Sequence, residues 1–167
     1  PKIADYPFTS LHPNLGVAWV DNYEMVIADI PGLIEGAHEG VGLGDRFLKH
    51  VERCAAFLHL VDITSEDVVG AYKAIRRELE LYNIKLSEKP EVVALSKADA
   101  LPEDETAKKV KQLEKAIGKK VYAISSVAKK GLFDCLLELN KYITRDRLKK
   151  DAVPETTGDE NQPWSPL

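Results

Sequence analysis

The sequence is poor in cysteine and lacks any long apolar run. Its two cysteines, Cys54 and Cys135, are far apart and lie in helical patterns, so neither a zinc knuckle nor a disulfide framework is indicated. We expect both to be buried reduced thiols. No apolar run approaches the roughly 18 to 20 residues that a membrane helix needs, and no signal peptide is recognisable. These absences favour a cytoplasmic protein without a membrane span.

The chain also lacks an excess of positive charge. Its formal net charge of −4 argues against a protein built to coat nucleic acid, although a local basic patch can still contact such a partner. With 44% hydrophobic and 30% charged residues, 167 residues suit one soluble domain of ordinary core size. The first residue is Pro1 rather than Met, so we expect the chain to be part of a longer polypeptide.

Strand-like and helical patterns alternate along most of the chain. Residues 16–20 and 24–30 flank the polar pair Asp21-Asn22, which predicts a β-hairpin. After the hairpin, the strand-like segments 57–63, 92–95 and 121–124 alternate with the helical segments 72–82, 107–117 and 132–143. This order predicts an α/β fold with a mostly parallel sheet and helices on both faces.

The end of the chain has no such pattern. We expect one domain over residues 1–147 and a disordered tail over 148–167, which is rich in proline and polar residues. Trp164 in this tail is either a docking residue or an exposed aromatic residue without a role.

A turn after the second apolar run has the composition of a phosphate sensor. Residues 29–32 (Asp-Ile-Pro-Gly) end that run and open into a glycine-rich stretch at 36–44. An aspartate at the end of a buried strand can hold Mg²⁺ through water. The backbone N–H of Gly32 can approach a terminal phosphate because no side chain stands in the way. We therefore interpret Asp29 as a magnesium and nucleotide residue, and Gly32 as a phosphate-binding and catalytic residue.

The companion motif of such a sensor is absent. A phosphate-binding loop of the form G-x-x-x-x-G-K-[ST] occurs nowhere in the 167 residues. A dinucleotide enzyme using Gly40-x-Gly42-x-Gly44 fits badly, because these glycines follow the strand end by about ten residues rather than forming the immediate turn.

The residues after the 92–95 run have the chemistry to select guanine. In Ser96-Lys97-Ala98-Asp99, the Asp99 carboxylate can accept hydrogen bonds from N1–H and the N2 amino group of guanine. Adenine lacks this pair of donors, so it would leave the carboxylate unpaired and GTP would be preferred over ATP. The aliphatic stem of Lys97 can lie over the base plane.

A third polar segment follows the 121–124 run. The backbone N–H of Ser126 in Ser125-Ser126-Val127 can donate to guanine O6, and the Ser125 hydroxyl can steady this loop. A Lys-x-Asp turn alone is a common surface sequence. However, Asp29, Asp99 and Ser125 each follow a separate apolar run, in the order that a switch, a base reader and a base-closing loop require.

The loop at residues 5–16 carries two hydroxyls before the hairpin. A hydroxyl of Thr9 or Ser10 can ligate Mg²⁺ while its backbone N–H contacts the γ-phosphate, or the two residues can simply cap a turn.

Two long stretches of this sequence resemble the Obg (CgtA) GTPases of bacteria. They are Tyr6–Gly16 (YPFTSLHPNLG) and Asp29–Cys54, within a similarity that extends from about Lys2 to Asp146. The resemblance implies a Ras-like P-loop GTPase fold, Mg²⁺-dependent GTP hydrolysis, and GTP or GDP as ligand. It further implies action on the large ribosomal subunit, through rRNA and ribosomal proteins, in ribosome assembly and in growth or stress control. We expect a cytoplasmic monomer.

The chain departs from this family at three places. Ser10 stands where the family has a threonine; its hydroxyl can still ligate Mg²⁺, and the resemblance makes it a catalytic and metal residue. Ser96 replaces the usual asparagine of the guanine motif, which weakens a contact to base N7. The family's first strand, P-loop and first helix would precede Pro1. That strand lies between those ending at Asp29 and near Ile63, so we expect an opened sheet and a chain that is inactive alone.

Two interpretations of function follow. In the first, the parent protein is a GTP-hydrolysing molecular switch, slow because Leu33 occupies the position where some GTPases place a water-orienting glutamine. In the second, the chain is a non-catalytic module that docks on ribosomal particles.

Overall fold

The computed structural model describes residues 15–29, 53–82 and 84–152. The elements in chain order are β1 (Leu15–Val20), β2 (Tyr23–Ala28), β3 (Phe57–Asp62), α1 (Val68–Tyr82), α2 (Ile84–Ser87), β4 (Glu91–Ser96), α3 (Glu103–Ile117), β5 (Val121–Ala123) and α4 (Leu132–Ala152). A single 3₁₀ turn spans Ala98–Ala100, directly after β4. The alternation of strands and helices from β3 onward confirms the α/β prediction.

The first two strands form the predicted hairpin. They pair antiparallel, with Val17 opposite Val26. Asp21 and Asn22 connect them and have φ angles of 46° and 65°. Positive φ at both central residues is typical of a type I′ turn, which matches the twist of the flanking strands, and Asp and Asn tolerate it better than most residues.

The other three strands form a parallel sheet in the order β3-β4-β5. Asp62 pairs with Ser96 and Leu95 pairs with Ala123, so the carboxyl ends of the three strands lie at the same edge. The central strand β4 is buried on both faces from Val92 to Leu95, as expected for a parallel strand covered by helices.

Helix ends follow local chemistry. Asp67 caps α1 by accepting the Gly70 backbone N–H at 2.9 Å. Helix α3 begins after Pro102 and ends at Gly118, which has φ 69° and donates its backbone N–H to the carbonyl of Glu114 at 2.8 Å. A proline at the entry and a left-handed glycine at the exit are typical boundaries of a helix.

Helices cover both faces of the parallel sheet. On one face, Val92 and Ala94 of β4 belong to a buried cluster with residues of the hairpin, of α4 and of the segment after β5, namely Val20, Met25, Cys135, Leu136, Leu139 and Ile124. On the other, Val93 and Leu95 pack with residues of β3, α1, α3, β5 and the segment after β3, namely Val61, Val68, Tyr72, Leu113, Val121 and Ile63. The alternation along β4 thus divides the core into two layers.

Within the described residues, the five strands form two separate hydrogen-bonded sheets. The hairpin strands form one sheet and β3-β4-β5 form another. This is the opening expected between β2 and β3. Packing in the first core cluster holds the hairpin against α4, together with a long hydrogen bond of 3.4 Å from Arg147 Nη2 to the carbonyl of Glu24.

The last helix is longer than predicted. It continues to Ala152, so residues 148–152 are helical and do not belong to a disordered tail. An ion pair of 2.8 Å between Asp146 and Lys150, one turn apart, accompanies this extension. Residues 153–167 and Trp164 lie outside the described residues. None of the helices in the described ranges is long and apolar enough to cross a lipid bilayer.

Candidate functional site

Three strand ends place polar residues at one edge of the parallel sheet. Asp62 is the last residue of β3, Ser96 is the last residue of β4, and Ser125 follows β5 by two residues. In open α/β sheets, ligands bind outside the carboxyl ends of the strands. The edge that carries these three residues is therefore the candidate site.

Asp99 and Ser125 are joined by a short hydrogen bond. Ser125 is buried, and its hydroxyl donates to Asp99 Oδ1 at 2.6 Å. The same hydroxyl oxygen accepts the backbone N–H of Ala128 at 3.0 Å. The Ser125 side chain therefore steadies its own loop, as the sequence predicts, and also fixes the orientation of the exposed Asp99 carboxylate.

Backbone hydrogen bonds tie the loops after β4 and β5 into one unit. The N–H of Ala98 donates to the carbonyl of Ile124 at 3.0 Å, and the N–H of Ile124 donates to the carbonyl of Leu95 at 2.9 Å. Ser125 closes its loop by donating its N–H to the carbonyl of Lys130 at 3.1 Å. The position of one loop thus determines the position of the other.

The turn after Ser125 faces solvent. Ser126 and Val127 are exposed, the latter at 83% of its surface, in the turn that returns to Gly131. Gly131 has φ 73°, and a Cβ there would collide with the carbonyl oxygen of Ala123. Glycine is therefore required for this turn to fold back against β5.

Lys97 forms an ion pair that the sequence does not reveal. Its backbone is left-handed, with φ 60° and ψ 36°, and its Nζ donates to Asp62 Oδ2 at 2.7 Å. The other oxygen of Asp62 accepts the backbone N–H of Thr64 at 2.9 Å and its hydroxyl at 2.6 Å. Hydrogen bonds from Lys97 and then Thr64 hold the pKa of Asp62 below its ordinary range, and the pair raises the pKa of Lys97.

Sequence reasoning missed Asp62 and Thr64. A signal was available, because Asp62 closes an apolar run just as Asp29 does. The loop that follows is further fixed by Lys109, whose Nζ donates to the carbonyls of Ile63 at 2.6 Å and Ser65 at 2.9 Å.

Ser96 uses its hydroxyl within the sheet. Its Oγ donates to the carbonyl of Val61 across the strand pair at 3.4 Å, which is long for a hydrogen bond. The weakened base contact expected at this position stays a prediction.

The remaining predicted residues lie apart from these loops or outside the described residues. Asp29 directly follows β2 and is exposed, but β2 is a largely exposed strand of the hairpin sheet rather than the buried strand predicted. Ser10 and Gly32 lie outside the described residues. Within residues 15–29, 53–82 and 84–152, no group of three or more His, Cys, Asp or Glu side chains could hold a metal ion. The magnesium assignment of Asp29 and Ser10 therefore stays a prediction.

Solved structures with the same arrangement of strands and helices are G domains and proteins that contain them. The cytosolic domain of the FeoB iron transporter of T. maritima matches in its apo form with a TM-score of 0.58 at 19% identity, over 84% of this chain and 53% of that one. The same domain in a GDP form matches with a TM-score of 0.51 at 18% identity, over 84% and 52%. This chain therefore spans about half the length of that cytosolic domain.

Shorter proteins match over more of their length. The G domain of T. maritima FeoB matches with a TM-score of 0.56 at 19% identity, over 85% of this chain and 82% of that one. The nucleolar GTP-binding protein 1 of Plasmodium falciparum matches with a TM-score of 0.50 at 18% identity, over 83% and 74%. At these identities the likeness establishes the fold, which is that of a Ras-like GTPase.

A family model agrees with this fold. The model described as 50S ribosome-binding GTPase matches residues 1–97, which is more than half of the 167-residue chain. The chain therefore belongs to the 50S ribosome-binding GTPase family.

Proposed function

We propose that this chain is the base-reading and switch portion of an Obg-type GTPase, a GTP-hydrolysing molecular switch that acts on the large ribosomal subunit. The observation that carries the proposal is the 2.6 Å hydrogen bond from Ser125 to Asp99, because it aligns a carboxylate at the ligand-binding edge of the sheet. Membership of a GTPase family supports a GTP-binding switch in general.

The geometry suits a guanine base. Asp99 is exposed, and one of its oxygens is held by Ser125, so the carboxylate can accept from N1–H and the N2 amino group. The Lys97 stem would cover one face of the base. The N–H of Ser126 would donate to O6, and the exposed Val127 would complete the loop around the base edge.

The phosphate end of the site would be built from the switch residues. Asp29 and Ser10 offer carboxylate and hydroxyl oxygens, which are the hard ligands that Mg²⁺ prefers, and Asp29 is exposed directly after β2. Bound Mg²⁺ would supply charge neutralisation on the phosphates. Gly32 would present its backbone N–H to the γ-phosphate. Leu33 has no polar group to orient the attacking water, so we expect slow intrinsic hydrolysis stimulated by a partner.

The lysine and the serine or threonine of a P-loop would also be needed. Because the motif G-x-x-x-x-G-K-[ST] is absent from the 167 residues, these groups would have to come from outside them. On this account the 167-residue chain alone binds and hydrolyses GTP poorly.

The ribosomal part of the proposal has separate support. The Obg-like stretches Tyr6–Gly16 and Asp29–Cys54 favour that branch of the GTPases, and the matched family is described as binding the 50S subunit. Ordering of the switch segment by GTP would create a surface for the large subunit that is lost after hydrolysis.

Titration with a fluorescent GDP analogue tests the nucleotide part. The full-length protein should bind the analogue saturably, and GTP or GDP should displace it while ATP and ADP should not. Co-sedimentation with large ribosomal subunits should be stronger with a non-hydrolysable GTP analogue than with GDP. Absence of saturable nucleotide binding, with co-sedimentation retained, would instead establish the non-catalytic docking module.

A further inference from the structure

We propose that Asp62 is a positioning residue of the base pocket, which acts by holding the Lys97 side chain at the carboxyl edge of the sheet. The inference rests on the proposed guanine-binding function. It assigns a role to a residue that lies outside the base-recognition segments Ser96–Asp99 and Ser125–Val127.

Asp62 is itself oriented before it meets Lys97. Thr64 donates both its backbone N–H and its hydroxyl to Asp62 Oδ1, at 2.9 Å and 2.6 Å. These two bonds fix the plane of the carboxylate and leave Oδ2 for Lys97 Nζ, at 2.7 Å. Both oxygens of Asp62 therefore have defined partners, and the carboxylate is a preorganised acceptor rather than a mobile surface charge.

The register of the sheet makes this contact possible. Asp62 pairs directly with Ser96, the last residue of β4, and Lys97 is the residue that follows this pair. The Ile63 N–H also donates to the carbonyl of Ser96 at 3.1 Å, which keeps the two strand ends together beyond the last pair. Asp62 therefore lies beside the start of the loop that carries Asp99.

The backbone of Lys97 is unusual for a residue with a side chain. Its φ of 60° lies in the left-handed region, which non-glycine residues seldom occupy. Such conformations persist where the surroundings impose them, and they cluster at functional sites. Here the Ala100 N–H donates to the Lys97 carbonyl at 2.9 Å, and Asp62 holds the other end of the residue.

The exposure of the ion pair separates positioning from stability. The Lys97 side chain is 64% exposed and that of Asp62 is 37% exposed. Exposed pairs of this kind contribute little to folding. In contrast, a lysine fixed before the nucleotide arrives loses less side-chain entropy when its stem covers the base, so the pair favours binding. The hydrogen bond between them lowers the pKa of Asp62 and raises the pKa of Lys97, as expected for a pair that is charged on both sides.

The variant Asp62→Asn in the full-length protein tests this role. We expect its Kd for fluorescent GDP to rise roughly threefold to tenfold, and its Kd for the matching inosine diphosphate analogue to rise by the same factor. The reason is that Lys97 would cover the face of the base, and guanine and hypoxanthine present the same ring face. Asp99→Asn should instead change the ratio of the two Kd values, because Asp99 reads the N2 amino group that inosine lacks.

A double-mutant cycle shows whether Asp62 acts through Lys97. In a Lys97→Met background, adding Asp62→Asn should change the Kd for GDP by less than about twofold, because the partner is already lost. Thr64→Ala should also raise the Kd for GDP, by a smaller factor than Asp62→Asn. It tests the same role if the Asp62→Asn variant does not fold. Asp146→Asn is the matched control, since it breaks another exposed carboxylate–lysine pair, on α4.

The failures can be told apart. If the unmodified full-length protein binds no guanine nucleotide, the proposed function fails. If it binds GDP and Asp62→Asn binds equally well, or if the two substitutions add fully in the cycle, the positioning role of Asp62 is overturned while the function stands. A change in the GDP to IDP ratio on Asp62→Asn would also overturn it, because Asp62 would then act on the base edge.

Discussion

At the scale of single residues, the site depends on one small buried side chain. Ser125 is 2% exposed, yet its hydroxyl reaches the exposed Asp99 carboxylate and the N–H of Ala128. A serine in an isolated loop could not orient Asp99. Ser125 can do so because the parallel pairing of β4 with β5 brings the two loops together.

The substitution Ser125→Ala should weaken GDP binding by about tenfold, since it frees the Asp99 carboxylate and leaves the Ala128 N–H without its partner. Titration of the full-length variant with fluorescent GDP measures this. Glu138→Gln is a suitable control, because it alters a 3.0 Å carboxylate–lysine pair with Lys141 that lies within α4. Unchanged affinity in the Ser125 variant would show that Asp99 does not need this alignment.

At the scale of elements, one buried carboxylate connects β4 to three neighbouring segments at the amino end of the parallel sheet. The Glu91 side chain is 2% exposed and accepts hydrogen bonds from His59 Nδ1 at 2.9 Å, Tyr72 OH at 2.8 Å and Lys119 Nζ at 3.0 Å. These partners come from β3, α1 and the segment before β5. Glu91 begins β4, whereas the candidate site lies where that strand ends, so we assign this network to stability.

Replacing Glu91 with glutamine should lower the free energy of unfolding by roughly 3 kcal/mol without changing the Kd for GDP. Burial alone would raise the pKa of Glu91, but hydrogen bonds from His59, Tyr72 and Lys119 outweigh it and hold the pKa at about 2. The pKa of Glu91 in the folded protein is thus below its ordinary value of 4.5. The stabilisation is therefore complete above about pH 4.5 and is lost as the pH falls toward 2.

Urea unfolding at several pH values checks this prediction. The gap between the unmodified protein and the Glu91→Gln variant should be widest near neutral pH and should narrow in acid. A gap that stayed constant from pH 7 to pH 3 would contradict the assignment, as would a variant of equal stability.

Local signals predict most of the elements, whereas they miss the contacts between elements. Pro102 and Gly118 bound α3, and Asp21-Asn22 forms the hairpin turn, because caps and turns depend on a few adjacent residues. The contact of Asp62 with Lys97 spans 35 residues and that of Glu91 with His59 spans 32. Such pairs follow from strand order and register, which composition does not determine. The end of α4 at Ala152 was also missed.

At the scale of the whole molecule, the residues of the proposed nucleotide site are divided between two sheets. The base-reading loops follow strands of β3-β4-β5, while Asp29 follows the hairpin strand β2. Within the described residues, the two sheets share a core cluster with α4 rather than a hydrogen-bonded ladder. On the proposed function, a nucleotide would contact both parts. Binding should therefore stabilise the protein by linkage, by an amount that grows with the logarithm of the ligand concentration above the Kd.

The central claim is that Asp99 at this sheet edge reads guanine, and Asp99→Asn tests it most directly. An asparagine keeps an acceptor for N1–H but offers an amino group where the carboxylate offered an acceptor. It therefore suits xanthine, which carries a carbonyl at C2 in place of the guanine amino group. In the full-length protein, the account predicts that the Kd for GDP rises about a hundredfold while xanthosine diphosphate becomes the tighter ligand. Unaltered affinity for GDP in this variant would contradict it.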